Sequence, residues 1–448
     1  MNQLTTSLWG DESFTAVAVR ENLPRILEIV AKDTAPPLYY LLLFAWTRIF
    51  GSSEIAIRSL SVLLSLGTAL TACLIAKHIW GSLSRLEGRK TALWAGLLTL
   101  ANPFLFPFAF EGRMYAILVF FVTLSFYFFI TKKFWGYILS AAAAIYSHHY
   151  AALALVFQFC WRLGEAIKGA KKAGASTKQG LYWLEFIKPY LLIAFLYLPW
   201  LYPLYQQLTR VSSGFWLGKP QLKDLGAIYL KYFLGEKLIF NWQKYSLILA
   251  GLTLLLKKWS SRQKQNLFLI GWAIVPVLTA FLLSQGKTSL FYDRYLIFII
   301  PALMILLAGG RRQLSSFLII IYLCFSFRLN YHYFQHPTKR PFRQLAAHVE
   351  QTTKQDDFLI NYNGSAHHLW ETKYYGLEAP LFVPGEDLPY YVGTAQMTEK
   401  DIIKKLPNRQ KIGVISSEEP EKIEIENYQL KEYKKFGSLS FSWFERQK

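Results

Sequence analysis

Ahead of any apolar run, two carboxylates stand side by side in an aromatic frame, Ser7-Leu8-Trp9-Gly10-Asp11-Glu12-Ser13-Phe14. A third acid opens the segment Asp33-Thr34-Ala35-Pro36-Pro37-Leu38-Tyr39-Tyr40. A carboxylate on a polar segment can take the proton from an attacking hydroxyl. Asp11 is the candidate for that work, with Glu12 supporting it and Asp33 on the same face. Arginine is the complementary type, because its planar fork meets a phosphate with two parallel hydrogen bonds. Arg113 lies in Glu111-Gly112-Arg113-Met114-Tyr115 and Arg294 in Asp293-Arg294-Tyr295, with Lys287 a little upstream. Tyr115 would shape a headgroup site and Glu111 would orient Arg113. A base and phosphate-binding cations together suit transfer of a group from a phosphate-linked donor to a hydroxyl. The phosphate already leaves well, so a general acid is less necessary.

Ser147-His148-His149 adds a polar turn suited to substrate contact. Adjacent histidines diverge on a helix, which makes joint metal coordination awkward. No phosphate-binding glycine loop, nucleophile elbow or zinc motif is present. Asn363-Gly364-Ser365 matches a glycosylation triplet, a short pattern that is usually accidental.

The elements that must carry these residues are mostly membrane helices. The 448 residues are 53% hydrophobic and 17% aromatic, with mean hydropathy +0.22, too apolar for an ordinary soluble enzyme. Many runs approach the roughly 20 residues that cross a bilayer as helix, and lipid demands that backbone groups be satisfied internally. Carboxylates are scarce, 29 Asp and Glu against 49 Lys and Arg, for a net charge of +20. Most of the basic residues fall in short loops, where the positive-inside rule puts them, so the excess needs no nucleic acid. Cys73, Cys160 and Cys324 lie inside apolar runs and offer neither a disulfide framework nor a metal set. The basic-then-apolar start of a signal peptide is absent.

Loop charge sets the topology. Lys77–Lys90, Lys132-Lys133, Lys168–Lys178, Lys257–Lys264 and Arg311-Arg312 read as cytoplasmic. Consistent spans are about 55–76, 91–110, 114–131, 186–205, 243–257, 266–285, 295–309 and 313–331. The stretch 134–163 reads as two short helices meeting near Ser147–His149 on the far side, which makes about ten membrane helices. Pro36–Phe50 is short for a span and suits an interfacial helix started sharply by its proline pair. By parity the acidic pair, both arginine sites and the histidine turn all face outward. An external N-terminus is odd ahead of this layout: either a first helix is missing, which is the favoured expectation, or the chain inserts unusually. The last segment alternates apolar runs (Phe358–Ile360, Ile412–Ile415, Ser438–Phe444) with helical patterns such as Phe342–Thr352, which predicts a small α/β domain. The organisation expected is thus 1–54, an outward segment with the acidic pair; 55–332, the helical membrane domain; and 333–448, the outward α/β domain.

In order, Leu8-Trp9-x-Asp11-Glu12, Asp33-x-x-Pro36-Pro37-Leu38-Tyr39-Tyr40, Phe50-Gly51, Ala56-x-Arg58, Arg113-Met114-Tyr115, Tyr146-x-His148 and Arg294-Tyr295-Leu296 resemble glycosyltransferase family 39. These are enzymes of the GT-C fold, related to protein O-mannosyltransferases and to the aminoarabinose transferase of lipid A. The resemblance covers roughly residues 7–310. It implies an all-α polytopic membrane fold and inverting transfer of a sugar from a polyprenyl-phosphate donor, on the extracytoplasmic face of the plasma (inner) membrane. It also implies that Asp11 is the base, that Glu12 supports it, and that Arg113 and Arg294 lie near the lipid phosphate. The substrate-binding set expected is Asp33, Tyr39, Arg58, Arg113, Tyr115, His148, His149, Lys287, Arg294 and Tyr295. No cofactor is required, although a divalent cation is left open. The partners are the lipid-linked sugar, the bilayer and an acceptor that is a protein, lipid or glycan, with no nucleic acid. Two departures stand out: relatives usually carry a membrane helix before the acidic pair, and many have a basic residue or His where Ala35 stands. The alternative reading, a transporter or flippase of lipid-linked sugars, would place ionisable residues within the spans, and these apolar cores hold almost none. A membrane anchor presenting the tail as a binding module would leave the outward acids and arginines without purpose.

Overall fold

Proline and short polar breaks punctuate a mostly helical chain. The computed structural model describes all residues except 82–84, 174–177, 213–216, 256–262, 310–312, 355, 363–366, 386–387, 389–392 and 448. Arg311-Arg312, most of Lys257–Lys264 and the Asn363-Gly364-Ser365 triplet lie outside the described residues. In chain order the helices are α1 (Gly10–Ala18), α2 (Leu23–Lys32), α3 (Leu38–Phe50), α4 (Glu54–Trp80), α5 (Arg85–Leu100), α6 (Tyr115–Ile130), α7 (Phe134–Ser147), α8 (Ala151–Ala173) and α9 (Lys178–Tyr197). They continue as α10 (Leu201–Ser212), α11 (Leu222–Leu234), α12 (Lys244–Leu255), α13 (Gln263–Leu283), α14 (Ile300–Ala308), α15 (Gln313–Gln335), α16 (Phe342–Thr352) and α17 (His367–Tyr374). Helix α3 starts directly after the proline pair, and α7 and α8 meet at residues 148–150.

The expected span 91–110 is broken. Pro103 disfavours helix at Asn102, so α5 stops at Leu100 and a 3-10 turn follows at Phe106–Phe110. Asn102 secures the break: its Oδ1 accepts from the backbone N–H of Phe104 (3.1 Å) and Leu105 (2.9 Å), and its Nδ2 donates to the Tyr232 carbonyl (2.8 Å).

The chain is a membrane protein. Among the described residues four helical stretches are long and apolar enough to cross a bilayer: Glu54–Trp80, Tyr182–Val211, Gln263–Leu283 and Ser315–Gln335. Leu38–Phe50, Tyr115–Ile130, Phe134–Ser147 and Ile297–Ala308 are apolar but shorter. At about 1.5 Å per residue, the 16-residue α6 reaches only about 24 Å, short of a typical hydrocarbon core of about 30 Å. Length alone therefore does not deliver the ten spans expected.

The chain divides into two compact units. The larger comprises Ala35–Tyr39 and Ser59–Tyr333 and is a helical bundle. At its centre Phe126 stacks on Trp272, with ring centroids 3.7 Å apart and planes 10° off parallel. The Trp272 Nε1 donates to the Phe298 carbonyl at 3.2 Å, so the polar edge of this fully buried ring has a partner.

The other unit joins Met1–Thr34, Tyr40–Arg58 and Phe334–Lys448. It corrects the expected partition, because the N-terminal segment and the tail fold together as one body. Six strands, β1 (Phe358–Tyr362), β2 (Leu381–Phe382), β3 (Ile402–Ile403), β4 (Lys411–Ser416), β5 (Tyr428–Phe436) and β6 (Leu439–Arg446), form a sheet in the order β3-β2-β1-β4-β6-β5. β3, β2, β1 and β4 run parallel, while β6 pairs antiparallel with both β4 and β5. Central β1 and β4 are apolar runs buried on both faces, as parallel strands require. The β5–β6 hairpin turns at Gly437, whose φ of 58° is a conformation that favours glycine. Helix α16 covers one face with Phe342, Leu345, Ala346 and Val349, packed on Leu359, Phe441 and Trp443. The N-terminal segment is bound into this domain. Helix α17 packs on α1, Phe14 meets Trp370 edge to face at 5.5 Å, and Gln396 Nε2 donates to the Phe14 carbonyl at 2.8 Å.

Candidate active site

The acidic pair sits on the first turn of α1, where the helix dipole favours carboxylates. Its two members have different surroundings. Glu12 is fully buried. Its Oε1 accepts from Arg58 Nε (2.9 Å), and its Oε2 accepts from Arg58 Nη2 (2.7 Å), Lys339 Nζ (3.0 Å) and the Trp9 backbone N–H (3.3 Å). Asp11 is half-buried, and its main-chain carbonyl accepts from Thr15 Oγ1 at 2.9 Å. A carboxylate saturated by two cations and a backbone donor is poorly placed to take up a proton. The structure therefore makes Glu12 an anchor of this segment.

Arg58 requires a correction. It was expected among the substrate-binding residues, yet its side chain has no exposure. Besides Glu12 it donates to four carbonyls: Nη1 to Gln3 (2.9 Å), Leu4 (3.1 Å) and Thr6 (2.6 Å), and Nη2 to Ser7 (2.9 Å). Its donors are spent on folding residues 3–12, so it has none to offer a phosphate.

The tail supplies neighbours that the sequence did not mark. Lys339 pairs with Glu12 at 3.0 Å, and Arg340 Nη1 meets His368 Nε2 at 2.6 Å. Glu371 on α17 is 1% exposed, and its Oε2 has no hydrogen-bond partner among the described residues. Burial pushes the Glu371 carboxyl well above the usual carboxylate range; Arg340 opposes this, while the negative charges of Asp11 and Glu12 reinforce it. Burial thus favours the neutral form of Glu371 beside the pair. Nothing local in His367–Tyr374 marks that burial, because it comes from the packing of α17 on α1.

The raised value has a consequence for stability. The folded chain holds a proton that the unfolded chain releases near the ordinary value of 4.5, so wild-type stability falls as pH rises above that point. Glu371→Gln has no proton to lose. Its melting temperature should match wild type at pH 4 and rise above it progressively toward pH 8. A difference that does not vary with pH would mean that Glu371 is ionised in the fold.

Asp33, the C-cap residue of α2, accepts from Tyr40 Oη at 3.4 Å. Tyr39 belongs to the other unit, where it is buried.

Within the helical unit a second cluster forms from the expected residues. The buried Arg113 and Glu111 lie between the Phe106–Phe110 turn and α6, with the Glu111 carbonyl accepting from Ser61 Oγ at 2.6 Å. Tyr115 stacks with Tyr295 at 6.4 Å, and Tyr295 contacts His148 and Tyr150, each at 4.8 Å. Arg294 pairs with Glu236 at 3.1 Å. Burial works against the Arg294 charge, but Glu111, Tyr292, Glu236 and Tyr115 outweigh it and hold its pKa above the usual guanidinium value. Arg113, Tyr115, His148, Arg294 and Tyr295 thus share one neighbourhood.

His148 is pushed down to about 3 by burial, with His149 and Arg113 adding to the effect. His149 is lowered to about 4, again by burial, against its hydrogen bond to Gln207, which raises it. Both rings are neutral at physiological pH and so act as hydrogen-bonding groups. In the neutral His149, Nε2 donates to Gln207 Oε1 (2.8 Å) and Nδ1 accepts from Tyr197 Oη (3.1 Å). His148 Nδ1 accepts from the Tyr150 backbone N–H at 3.2 Å. Gln207 Nε2 also donates to the Ala35 carbonyl at 3.3 Å, which ties the histidine turn to the proline segment. Lys287 is exposed in the turn after α13 and is not drawn into this cluster by any described contact. Among the described residues no group of three or more His, Cys, Asp or Glu side chains could hold a metal ion.

Neither family models nor curated proteins match the chain by sequence. Solved structures do match by shape. ArnT from Cupriavidus metallidurans bound to undecaprenyl phosphate superposes with TM-score 0.60 at 14% identity, covering 98% of this chain and 95% of that one. The apo state of the same protein gives 0.56 at 14% identity, over 93% and 90%. At that identity the likeness shows the fold and does not single out family 39: the chain has the GT-C fold.

Proposed function

We propose that the protein is a membrane glycosyltransferase that moves a sugar, with inversion, from a polyprenyl-phosphate donor to an acceptor hydroxyl. The observation that carries this reading is the Arg113–Tyr115–His148–Arg294–Tyr295 cluster. It combines two arginines with neutral hydrogen-bonding rings in a GT-C fold, and a solved protein of that fold binds undecaprenyl phosphate. The acceptor oxygen attacks the anomeric carbon and Asp11 takes the hydroxyl proton. The bond from that carbon to the phosphate oxygen breaks, and the polyprenyl phosphate leaves with its electron pair. Arg113 and Arg294 balance the charge that grows on the phosphate, and inversion needs only the one base. The reaction so written draws on no metal or other cofactor. The site faces the extracytoplasmic side of the plasma membrane, and the acceptor is a protein, lipid or glycan.

The test uses the purified chain in proteoliposomes with a radiolabelled polyprenyl-phosphate sugar and a crude envelope acceptor fraction. Labelled sugar should move to the acceptor and polyprenyl phosphate should accumulate. Arg113→Ala and Arg294→Ala should each raise the donor KM about 10- to 100-fold, the worth of a charge-assisted contact of about 1.5–3 kcal/mol. Unchanged donor KM in both variants would remove the arginines from the reading. Lipid-linked sugar crossing the bilayer intact, with no product formed, would replace the transferase by a flippase.

A further inference from the structure

Where α6 ends, the chain does something costly. Thr131 closes the helix, the Lys133 N–H reaches back to the Phe128 carbonyl (3.0 Å), and Lys132 between them has φ of 56°. This left-handed position after a helix normally belongs to glycine, whereas a lysine pays a steric penalty there. Only one other described non-glycine residue, Asn427, has positive φ, and asparagine tolerates it readily.

Lys132 lines two cavities at this end of the bundle. The larger, of 390 Å³, is bounded by Lys132, Lys133, Arg162, Phe134, Tyr182 and Phe186 among others. The smaller, of 230 Å³, shares Lys132 and Glu165 with it and adds His78 and Lys264. Arg162 is held in place by a hydrogen bond from Nη2 to the Glu185 carbonyl (3.0 Å). Two acids are also present, Glu165 and Glu185. Glu165 is engaged by Lys264 at 2.7 Å, so it does not cancel the cations opposite. Apart from Ala166 the rest of the larger wall is aromatic, with Phe128 and Phe129 continuing from α6.

We infer that this cavity binds the headgroup of an anionic phospholipid, with Lys132, Lys133 and Arg162 on the phosphate and the aromatic wall against the first acyl carbons. Basic pockets between membrane helices suit such headgroups, and loop charge assigns this end to the cytoplasm. The site shares no residue with the candidate active site, and the inference does not depend on the transferase reading.

The strained lysine supplies its own test. Lys132→Gly removes a cation and also relieves the backbone, so the variant should fold at least as stably as wild type in neutral detergent. The full chain is titrated with phosphatidylglycerol, with diacylglycerol, and with inorganic phosphate, and binding is read from the melting temperature and from native mass spectrometry. Phosphatidylglycerol should bind and raise the melting temperature, while diacylglycerol should not. Lys132→Gly and Arg162→Gln should each weaken phosphatidylglycerol binding about fivefold, as expected for one cation near a lipid phosphate. Wild-type affinity in both variants would overturn the site. An equal response to inorganic phosphate would overturn the lipid assignment in favour of a soluble anion.

Discussion

Replacing Asp11 with Asn should lower the rate of the proposed sugar transfer about 10²- to 10⁴-fold, the usual contribution of a positioned base. The donor KM and the melting temperature should stay near their wild-type values. Asparagine has the same shape but cannot take the acceptor proton. The bond from Thr15 to residue 11 uses the main chain and survives the change. What α1 loses is the interaction of one carboxylate with its N-terminal dipole, about 0.3–1 kcal/mol. A fall in kcat with KM held is the signature of an interaction made in the transition state alone. Transfer by Asp11→Asn within twofold of wild type would remove Asp11 from its role. The contrast with Glu12 sharpens the test. Glu12→Gln strips the charge that Arg58 and Lys339 share, so its deficit should appear first as lost stability.

Local elements were legible because local patterns make them. The helix expected at Phe342–Thr352 spans those residues, and the apolar runs at 358–360, 412–415 and 438–444 lie in or overlap β1, β4 and β6. Periodicity and turn residues are properties of neighbouring positions, and they survive tertiary packing when the segment has one apolar face. The break at Ser147–His149 and the helix start after Pro36-Pro37 were readable for the same reason. The union of the N-terminal segment with the tail was not. It rests on contacts such as Lys339–Glu12, Tyr375 Oη with the Leu8 N–H (2.9 Å) and with Glu54 (2.9 Å), all more than 300 positions apart in sequence. No periodicity encodes such pairings. Glu371 escaped notice for that reason, since its burial exists only once α17 meets α1. The exact span count is a separate matter. Hydropathy finds apolar runs well, but helix length depends on where breaks such as Asn102-Pro103 fall.

Arg58 is where sequence and structure make opposite claims, and its replacement should have the largest effect on stability. As a ligand contact, Arg58→Met would raise the donor KM and leave the fold intact. As the buried hub described above, it would cost about 3–5 kcal/mol, the usual penalty for removing one partner of a buried ion pair. Carbonyls of Gln3, Leu4, Thr6 and Ser7 would lose their common donor, and Glu12 would lose both Arg58 contacts while keeping Lys339 and the Trp9 N–H. The melting temperature should fall by several degrees, and proteolysis should open the chain before residue 12. Arg58→Lys should recover only part of the loss, because an ammonium keeps the charge but cannot reach Glu12 and the carbonyl fan together. A double-mutant cycle isolates the pair. Glu12→Gln with Arg58→Met should cost less than the sum of the two single changes, since each alone strands the charge of the other. Additive losses would mean that the pair is not coupled, and a KM effect without a stability effect would return Arg58 to the substrate.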